Sequence, residues 1–295
     1  MSLNPKTRNL FLRTASGIVY VALMVAAVFT SWVAVPLAFF FGLVGIRELY
    51  KMFETPELKE CYGFANISAG IVMLVFYFMS QALPFVKDMP HYPEAILFGT
   101  MLTPATCLML VLAFLGIFLP ELTNRHENPI YNMGIGLLSI VWIIIPLSVL
   151  FFVWTARNAE LLLAFLILIW MSDTAAYVFG SLFGKHKLAP NISPGKTWEG
   201  FLCSCVFTIG LAVGLSYIPY FSMKLPIWAW VVFSLIIQVF GLLGDLTESL
   251  FKRKAGVKDS GNIIPGHGGV LDRVDSILFA TIPAYLFVAL CSFYL

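Results

Sequence analysis

An all-α, polytopic integral membrane protein with about nine transmembrane helices is the fold class this sequence predicts. Three observations carry that expectation: composition, the lengths of the apolar runs, and the placement of positive charge. Of 295 residues 60% are apolar and only 12% charged, and the mean hydropathy is +0.89. A soluble domain usually carries about 25% charged residues. So few charges cannot coat a water-facing surface, and lipid must solvate most of the chain.

A spanning helix needs roughly 20 mostly apolar residues. Such runs lie at about 14–33, 35–52, 64–84, 96–119, 131–153, 160–182, 201–221, 226–249 and 276–294. The first two are separated only by the stretch from Thr30 to Pro36. The first run follows Lys6, Arg8 and Arg13, as a signal peptide would, but it leads straight into more membrane and reads as an uncleaved anchor. Residues 1–130 hold about four spans and 131–295 about five, as one membrane unit with no soluble domain. Pro and Gly inside the runs are tolerated because neighbouring helices satisfy the freed backbone groups.

Positive charge sets the orientation. Of the 18 Lys and Arg, all but Lys87, Arg157 and Lys224 fall on the side of the N-terminus. By the positive-inside rule that side is cytoplasmic, and nine spans put the C-terminus outside. The expected location is the cytoplasmic membrane, with the chemistry near its inner face. The five cysteines, Cys61, Cys107, Cys203, Cys205 and Cys291, lack ligand-like spacing to histidine and read as small buried hydrophobes. The sequon-like triplets at Asn66 and Asn191 fall on the cytoplasmic side and carry no meaning there.

Two loops depart from this apolar pattern. The sixth run, LLLAFLILIWMSDTAAYVFG, contains Asp173, and the eighth ends in FGLLGDLTESLFKRK with Asp245. A carboxylate at the centre of a membrane helix costs about 2.5–3.5 kcal/mol on insertion scales. The plain reading is a packing hydrogen bond or ion pair; intramembrane acids are nevertheless functional by default. After Asp245 comes SLFKRKAGVKDSGNIIPGHGGVLDRVD, residues 249–275. Lys252, Arg253 and Lys258 supply positive charge. Pro265-Gly-His267-Gly268-Gly269 offers backbone N–H groups and an imidazole suited to phosphate oxygens. Asp272 and Asp275, three apart, share a helix face, and with Asp245 they form a candidate oxygen site for Mg²⁺. Juxtamembrane lysines are expected from topology alone, so it is their combination with paired acids that points to phosphate chemistry. The other loop, 184–200, contains Gly195-Lys196-Thr197, which hints at a P-loop. That pattern needs glycine where Pro190 stands, so the motif is rejected; Lys196 stays well placed to meet an anion.

Residues 249–275 resemble the signature of the phosphatidate cytidylyltransferases, also called CDP-diacylglycerol synthases. The matching positions are Ser249, Phe251-Lys252-Arg253, Lys258-Asp259, Gly261, Ile264-Pro265, His267-Gly268-Gly269-Val270 and Asp272-Arg273-Val274-Asp275. Ser172-Asp173-Thr174 and Ile192-Ser193-Pro-Gly-Lys196-Thr-Trp-Glu199 are also similar, so the likeness covers the C-terminal part of the chain and leaves the N-terminal half unassigned. The resemblance implies transfer of a cytidylyl group from CTP to phosphatidate, giving CDP-diacylglycerol and diphosphate. It implies catalytic roles for Asp173, Lys196, Asp245, Asp272, Arg273 and Asp275. Substrate contacts would come from Ser193, Lys252, Arg253, Lys258, His267, Gly268 and Gly269. Mg²⁺ is the implied cofactor, with a second ion left open. Membrane lipid is the implied surrounding, nucleic acid is not an expected partner, and a homodimer stays open.

Two other functions fit parts of the pattern. A CTP-dependent polyprenol or lipid kinase would move the γ-phosphoryl group instead. An ion-coupled transporter would spread charges over several helices at mid-depth, whereas here they gather beside Gly-rich loops. The Asp-Gly-x-x-Ala-Arg pattern of CDP-alcohol phosphotransferases does not occur.

Overall fold

The computed structural model describes residues 5–87, 108, 111–112, 115–124, 126–222, 225–264 and 268–294. Among them are eight helices long and apolar enough to cross a membrane. They are α1 (Pro5–Phe29), α2 (Ser31–Met52), α3 (Pro56–Lys87), α4 (Pro129–Trp154), α5 (Ala159–Phe183), α6 (Trp198–Ser216), α7 (Ile227–Lys254) and α8 (Leu271–Tyr294). The run expected at 96–119 lies largely outside the described residues, although 115–123 are helical. The chain is a multi-pass membrane protein. Its described residues form two compact units, one of Met1–Ser16 with Asn158–Leu295 and the other of Gly17–Arg157.

In the second of these units, the break between α1 and α2 is narrower than the sequence suggests. Only Thr30 leaves the helix, with an extended φ of −146° and ψ of 124°. Pro36 lies inside α2, so it does not mark the boundary. Helix α4 contains two π-helical stretches, Ile140–Ile144 and Val149–Trp154, on either side of Pro146. Proline has no N–H to give to the carbonyl four residues back, and π turns are a usual way for a helix to absorb that defect. Ser148 Oγ donates to the Ile144 carbonyl at 2.7 Å and Thr155 Oγ1 to that of Leu150 at 3.1 Å, covering oxygens in the disturbed ladder.

The unit built on α5 to α8 is held by close backbone approaches and one buried polar knot. A Cβ on Gly200 would sit 2.7 Å from the Ala176 carbonyl oxygen and 2.8 Å from Gly180 Cα, so α5 and α6 cross at a pair of glycines. A Cβ on Gly244 would sit 2.5 Å from the Asp275 carbonyl oxygen, which seats the end of α7 against the start of α8. Without a hydrophobic drive between helices in lipid, such close packing is what association relies on. Deeper along α7, Gln238 is 3% exposed. Its Oε1 accepts from Ser172 at 2.5 Å and from Thr208 at 3.2 Å, and its Nε2 donates to Ser204. One side chain thus ties α5, α6 and α7 together.

The expectation of a purely helical chain needs one correction. Residues Lys187–Ala189 and Ser193–Thr197 form a two-stranded antiparallel ribbon, β1 and β2, with Lys187 opposite Thr197 and Ala189 opposite Ser193. Its turn places Pro190 and Asn191 at the two central positions, and Ile192 N donates to Ala189 O at 3.2 Å. Proline first and asparagine second suit such turns. Strands of three and five residues, the second holding Pro194 and Gly195, leave no readable alternation, so this ribbon reads as loop in the sequence.

Candidate active site

Three pieces of chain bring the site together. The last turns of α7 carry Asp245, Glu248 and Lys252, which share a face by their helical spacing. The first turns of α8 carry Asp272 and Asp275. Strand β2 supplies Lys196.

Lys252 is the central cation. Its Nζ lies 2.5 Å from Glu248 Oε2 and 2.6 Å from Asp272 Oδ1, with its side chain 12% exposed. Glu248 is 1% exposed, and the i to i+4 spacing to Lys252 is the one helices use for such pairs. Lys196 Nζ lies 2.6 Å from Asp245 Oδ2, so the ribbon reaches back onto α7. Ser249 Oγ donates to Asp245 Oδ1 at 3.2 Å. A second strut is Arg253, whose Nε donates to the Ile192 carbonyl at 3.3 Å, at the tip of the ribbon.

Asp272 does something the sequence did not suggest. While Oδ1 meets Lys252, Oδ2 accepts from Gly269 N at 2.8 Å, Ser260 N at 3.0 Å and Ser260 Oγ at 3.1 Å. One carboxylate in the first turn of α8, where helix polarity favours it, therefore gathers both ends of the 259–270 loop. Gly268 sits at φ +84°, in the left-handed region, and a Cβ there would come 2.8 Å from Asp272 Oδ2. Glycine is required at this position on both counts. Ile264 N closes the neck of the turn on Gly268 O at 3.0 Å.

Asp275 accepts from the backbone N–H of Ser276 at 2.7 Å. It faces Asp245 and Asp173 electrostatically, and Asp173 in turn faces Asp245 and Lys196. The acids Asp173, Asp245 and Asp275 thus converge from α5, α7 and α8. Neither that trio nor Asp245, Asp272 and Asp275 brings all of its ligand oxygens within 4.8 Å of one another. Ser193 opens β2, Gly269 is buried at the loop's neck, and Lys258 and Arg273 are exposed at the margin. His267, with Pro265 and Gly266, lies outside the described residues.

Sequence reasoning passed over three contributors. Glu248 was visible as the partner four residues before Lys252. Ser260 carries no signal, because its role depends on the loop folding back. Glu199 fixes the ribbon: its carboxylate accepts from Lys185 N at 3.0 Å and His186 N at 3.1 Å, and meets His186 Nδ1 at 2.5 Å. An acid beginning a helix just after a strand is the available hint.

Chemically, five carboxylates gather near two lysines, three of them in direct contact with a lysine, with Arg253, Lys258 and Arg273 around them. The surplus of oxygen anions suits a hard divalent cation such as Mg²⁺, and the outer ring of cations suits phosphate.

Comparison with known proteins gives the family. A protein of Staphylococcus saprophyticus named phosphatidate cytidylyltransferase is 46% identical over 156 residues, 53% of this chain and 59% of that one. Proteins of the same name from Staphylococcus haemolyticus and Staphylococcus aureus are 51% identical over 119 residues, 40% of this chain and 45% of theirs. The chain thus spans about half the length of the curated relatives it matches. The model of the cytidylyltransferase family, however, matches residues 11–291, and the chain belongs to that family.

Proposed function

We propose that this protein is a phosphatidate cytidylyltransferase, which condenses CTP with phosphatidate to give CDP-diacylglycerol and diphosphate. The observation that carries this reading is the meeting of surplus carboxylates, fixed lysines and a glycine turn where α7 and α8 join. The names of the relatives support the same substrates.

The reaction asks little in the way of proton transfer. A phosphatidate oxygen, already ionised at neutral pH, forms a new bond to the α-phosphorus of CTP. The bond from that phosphorus to the α–β bridging oxygen breaks in line, and its electrons leave with diphosphate. What limits the rate is bringing two polyanions together and stabilising the charge that builds on the leaving group. Lys196, Lys252, Arg253, Lys258 and Arg273 supply fixed positive charge for this purpose, and the Gly268 backbone and Ser193 supply neutral donors, while Gly269, whose N–H is held by Asp272, shapes the turn. His267 belongs to the same phosphate turn by sequence. Asp245 and Asp275, with Asp173 beside them, would hold Mg²⁺, which when bound neutralises phosphate charge. Asp272 is assigned a positioning role: it holds Lys252 and the phosphate turn in register. Lys252, gripped by two acids, would exchange one of them for a phosphate oxygen as substrate enters.

We further place the site at the cytoplasmic face, with nine spans and the C-terminus outside, on the strength of the charge asymmetry. Purified protein in detergent should release diphosphate from CTP only when phosphatidate is present. Release of CDP in place of diphosphate would identify a lipid kinase and reject the assignment.

A further inference from the structure

The unit formed by Gly17–Arg157 contains a cluster that the reaction does not use. Cys61 Sγ donates to Glu121 Oε1 at 3.0 Å, and His126 Nδ1 lies 2.9 Å from Glu121 Oε2. Among the described residues these three are the group of His, Cys, Asp and Glu whose ligand atoms all fall within 4.8 Å of one another. They are not a surface accident. Cys61 is 6% exposed, and the side chains of His126 and Glu121 are 7% and 3% exposed. The rings of Tyr50 and Tyr62 meet beside them, centroids 5.5 Å apart and tilted by 60°, and Tyr50 faces both Cys61 and Glu121.

The outer surroundings matter as much as the trio. The far ring nitrogen of His126, Nε2, points to Glu60 Oε2 at 3.4 Å. A ligating histidine characteristically gives its other N–H to a carboxylate, which fixes the tautomer that leaves the inner nitrogen's lone pair free. The loop that carries His126 is fastened in the same way. Glu57 accepts from Glu127 N at 2.7 Å and from Asn128 N at 3.3 Å, so the first turn of α3 grips the backbone on His126's C-terminal side. A thiol, an imidazole and a carboxylate brought together in a buried spot need a reason, because each polar group costs free energy to bury unless well paired.

We propose that Cys61, Glu121 and His126 bind a zinc ion, with solvent in the fourth position. Sulfur, nitrogen and one oxygen form a donor set that zinc accepts and that Mg²⁺ or Ca²⁺ does not favour. Metal–ligand bonds of about 2.0–2.3 Å in a tetrahedron set the ligand atoms roughly 3.4–3.6 Å apart. At present Sγ lies 3.0 Å from Oε1 and Nδ1 2.9 Å from Oε2 of the same carboxylate, and one ligand atom from each residue lies within 4.8 Å of the others, so side-chain shifts alone would bring the three donors to one ion. Binding releases the thiol proton to solvent, leaves His126 neutral and coordinating through Nδ1, and ties the segment 126–128 to α3. The role proposed for the site is structural or regulatory, since none of its three ligands takes part in the proposed reaction.

The test uses full-length, detergent-purified protein dialysed against a weak chelator. Metal analysis should find about one zinc per chain, and Co²⁺ exchange should give tetrahedral visible bands with a thiolate-to-cobalt charge-transfer band in the near ultraviolet. Cys61→Ser should abolish the charge-transfer band, and His126→Ala should lower zinc affinity at least 10-fold. Cys203→Ser, on another helix, should change neither. Absence of zinc above background in the wild type, or a cobalt complex without a thiolate band, overturns the proposal without reliance on any variant folding. Zinc retained at wild-type affinity in both Cys61→Ser and His126→Ala would overturn it too.

Discussion

At the scale of single residues, the division of labour between two aspartates three positions apart is the sharpest point. Asp272 and Asp275 look equivalent in sequence, both acids on one face at the start of a helix. In the structure Asp272 has four partners from Lys252, Ser260 and Gly269, whereas Asp275 faces other acids. Their Asn variants should therefore fail differently. Asp275→Asn is expected to lower turnover about 10- to 100-fold, the equivalent of about 1.5–3 kcal/mol, and to raise the Mg²⁺ concentration needed for half-maximal rate. Asp272→Asn should leave that Mg²⁺ requirement nearly unchanged, raise the KM for CTP, and lower the melting temperature as the loop loosens. Initial rates across a Mg²⁺ series decide between them. Identical Mg²⁺ shifts in the two variants would return Asp272 to the metal. Residue types at this site were legible because acids and glycines beside lysines are rare in so apolar a chain. Their partners were not, because hydrogen bonds such as Ser260 to Asp272 depend on how a loop closes.

At the scale of elements, glycines on α7 offer a controlled comparison. A Cβ at Gly241 would meet the nearest side-chain atoms at 3.6–3.8 Å, which is ordinary contact. At Gly244 it would meet the Asp275 backbone oxygen at 2.5 Å, and backbone cannot swing aside. Gly244→Ala should destabilise by about 1–3 kcal/mol, as overpacking does, and should cost activity because it displaces Asp275. Gly241→Ala should be close to wild type in both melting temperature and rate. The ribbon gives a second element-level expectation. Glu199→Ala removes the acceptor for Lys185 N, His186 N and the His186 ring, so Lys196 should lose its fixed position over Asp245. The kcat/KM for CTP should fall about 10-fold with helical content by circular dichroism unchanged, consistent with loss of about 1.4 kcal/mol of positioning. Long helices were readable because roughly 20 apolar residues can do little else in lipid. Their ends were less so. Nothing in Thr30 announces that one residue suffices to separate α1 from α2, and nothing in Pro36 announces that it lies within a helix. The cluster of Cys61, Glu121 and His126 was invisible for a related reason: its members lie 60 and 5 residues apart, and only the packing of α3 beneath the loop unites them.

At the scale of the whole molecule, the account rests on an apolar chain that concentrates its polar chemistry where two helices meet. The charge asymmetry predicts that residues 185–200 and 252–272 face the cytoplasm and that the C-terminus faces outward. A reporter fused after residue 295 and active only in the cytoplasm should therefore stay silent; strong signal from it would contradict the nine-span arrangement. The central claim concerns which phosphorus is attacked, and labelled CTP reads that directly. Purified protein supplied with phosphatidate, Mg²⁺ and CTP labelled at either the α- or the γ-phosphorus should move α-label into the lipid fraction and leave γ-label in diphosphate. Transfer of γ-label to lipid, or no transfer of either label by protein that remains folded, would contradict the account.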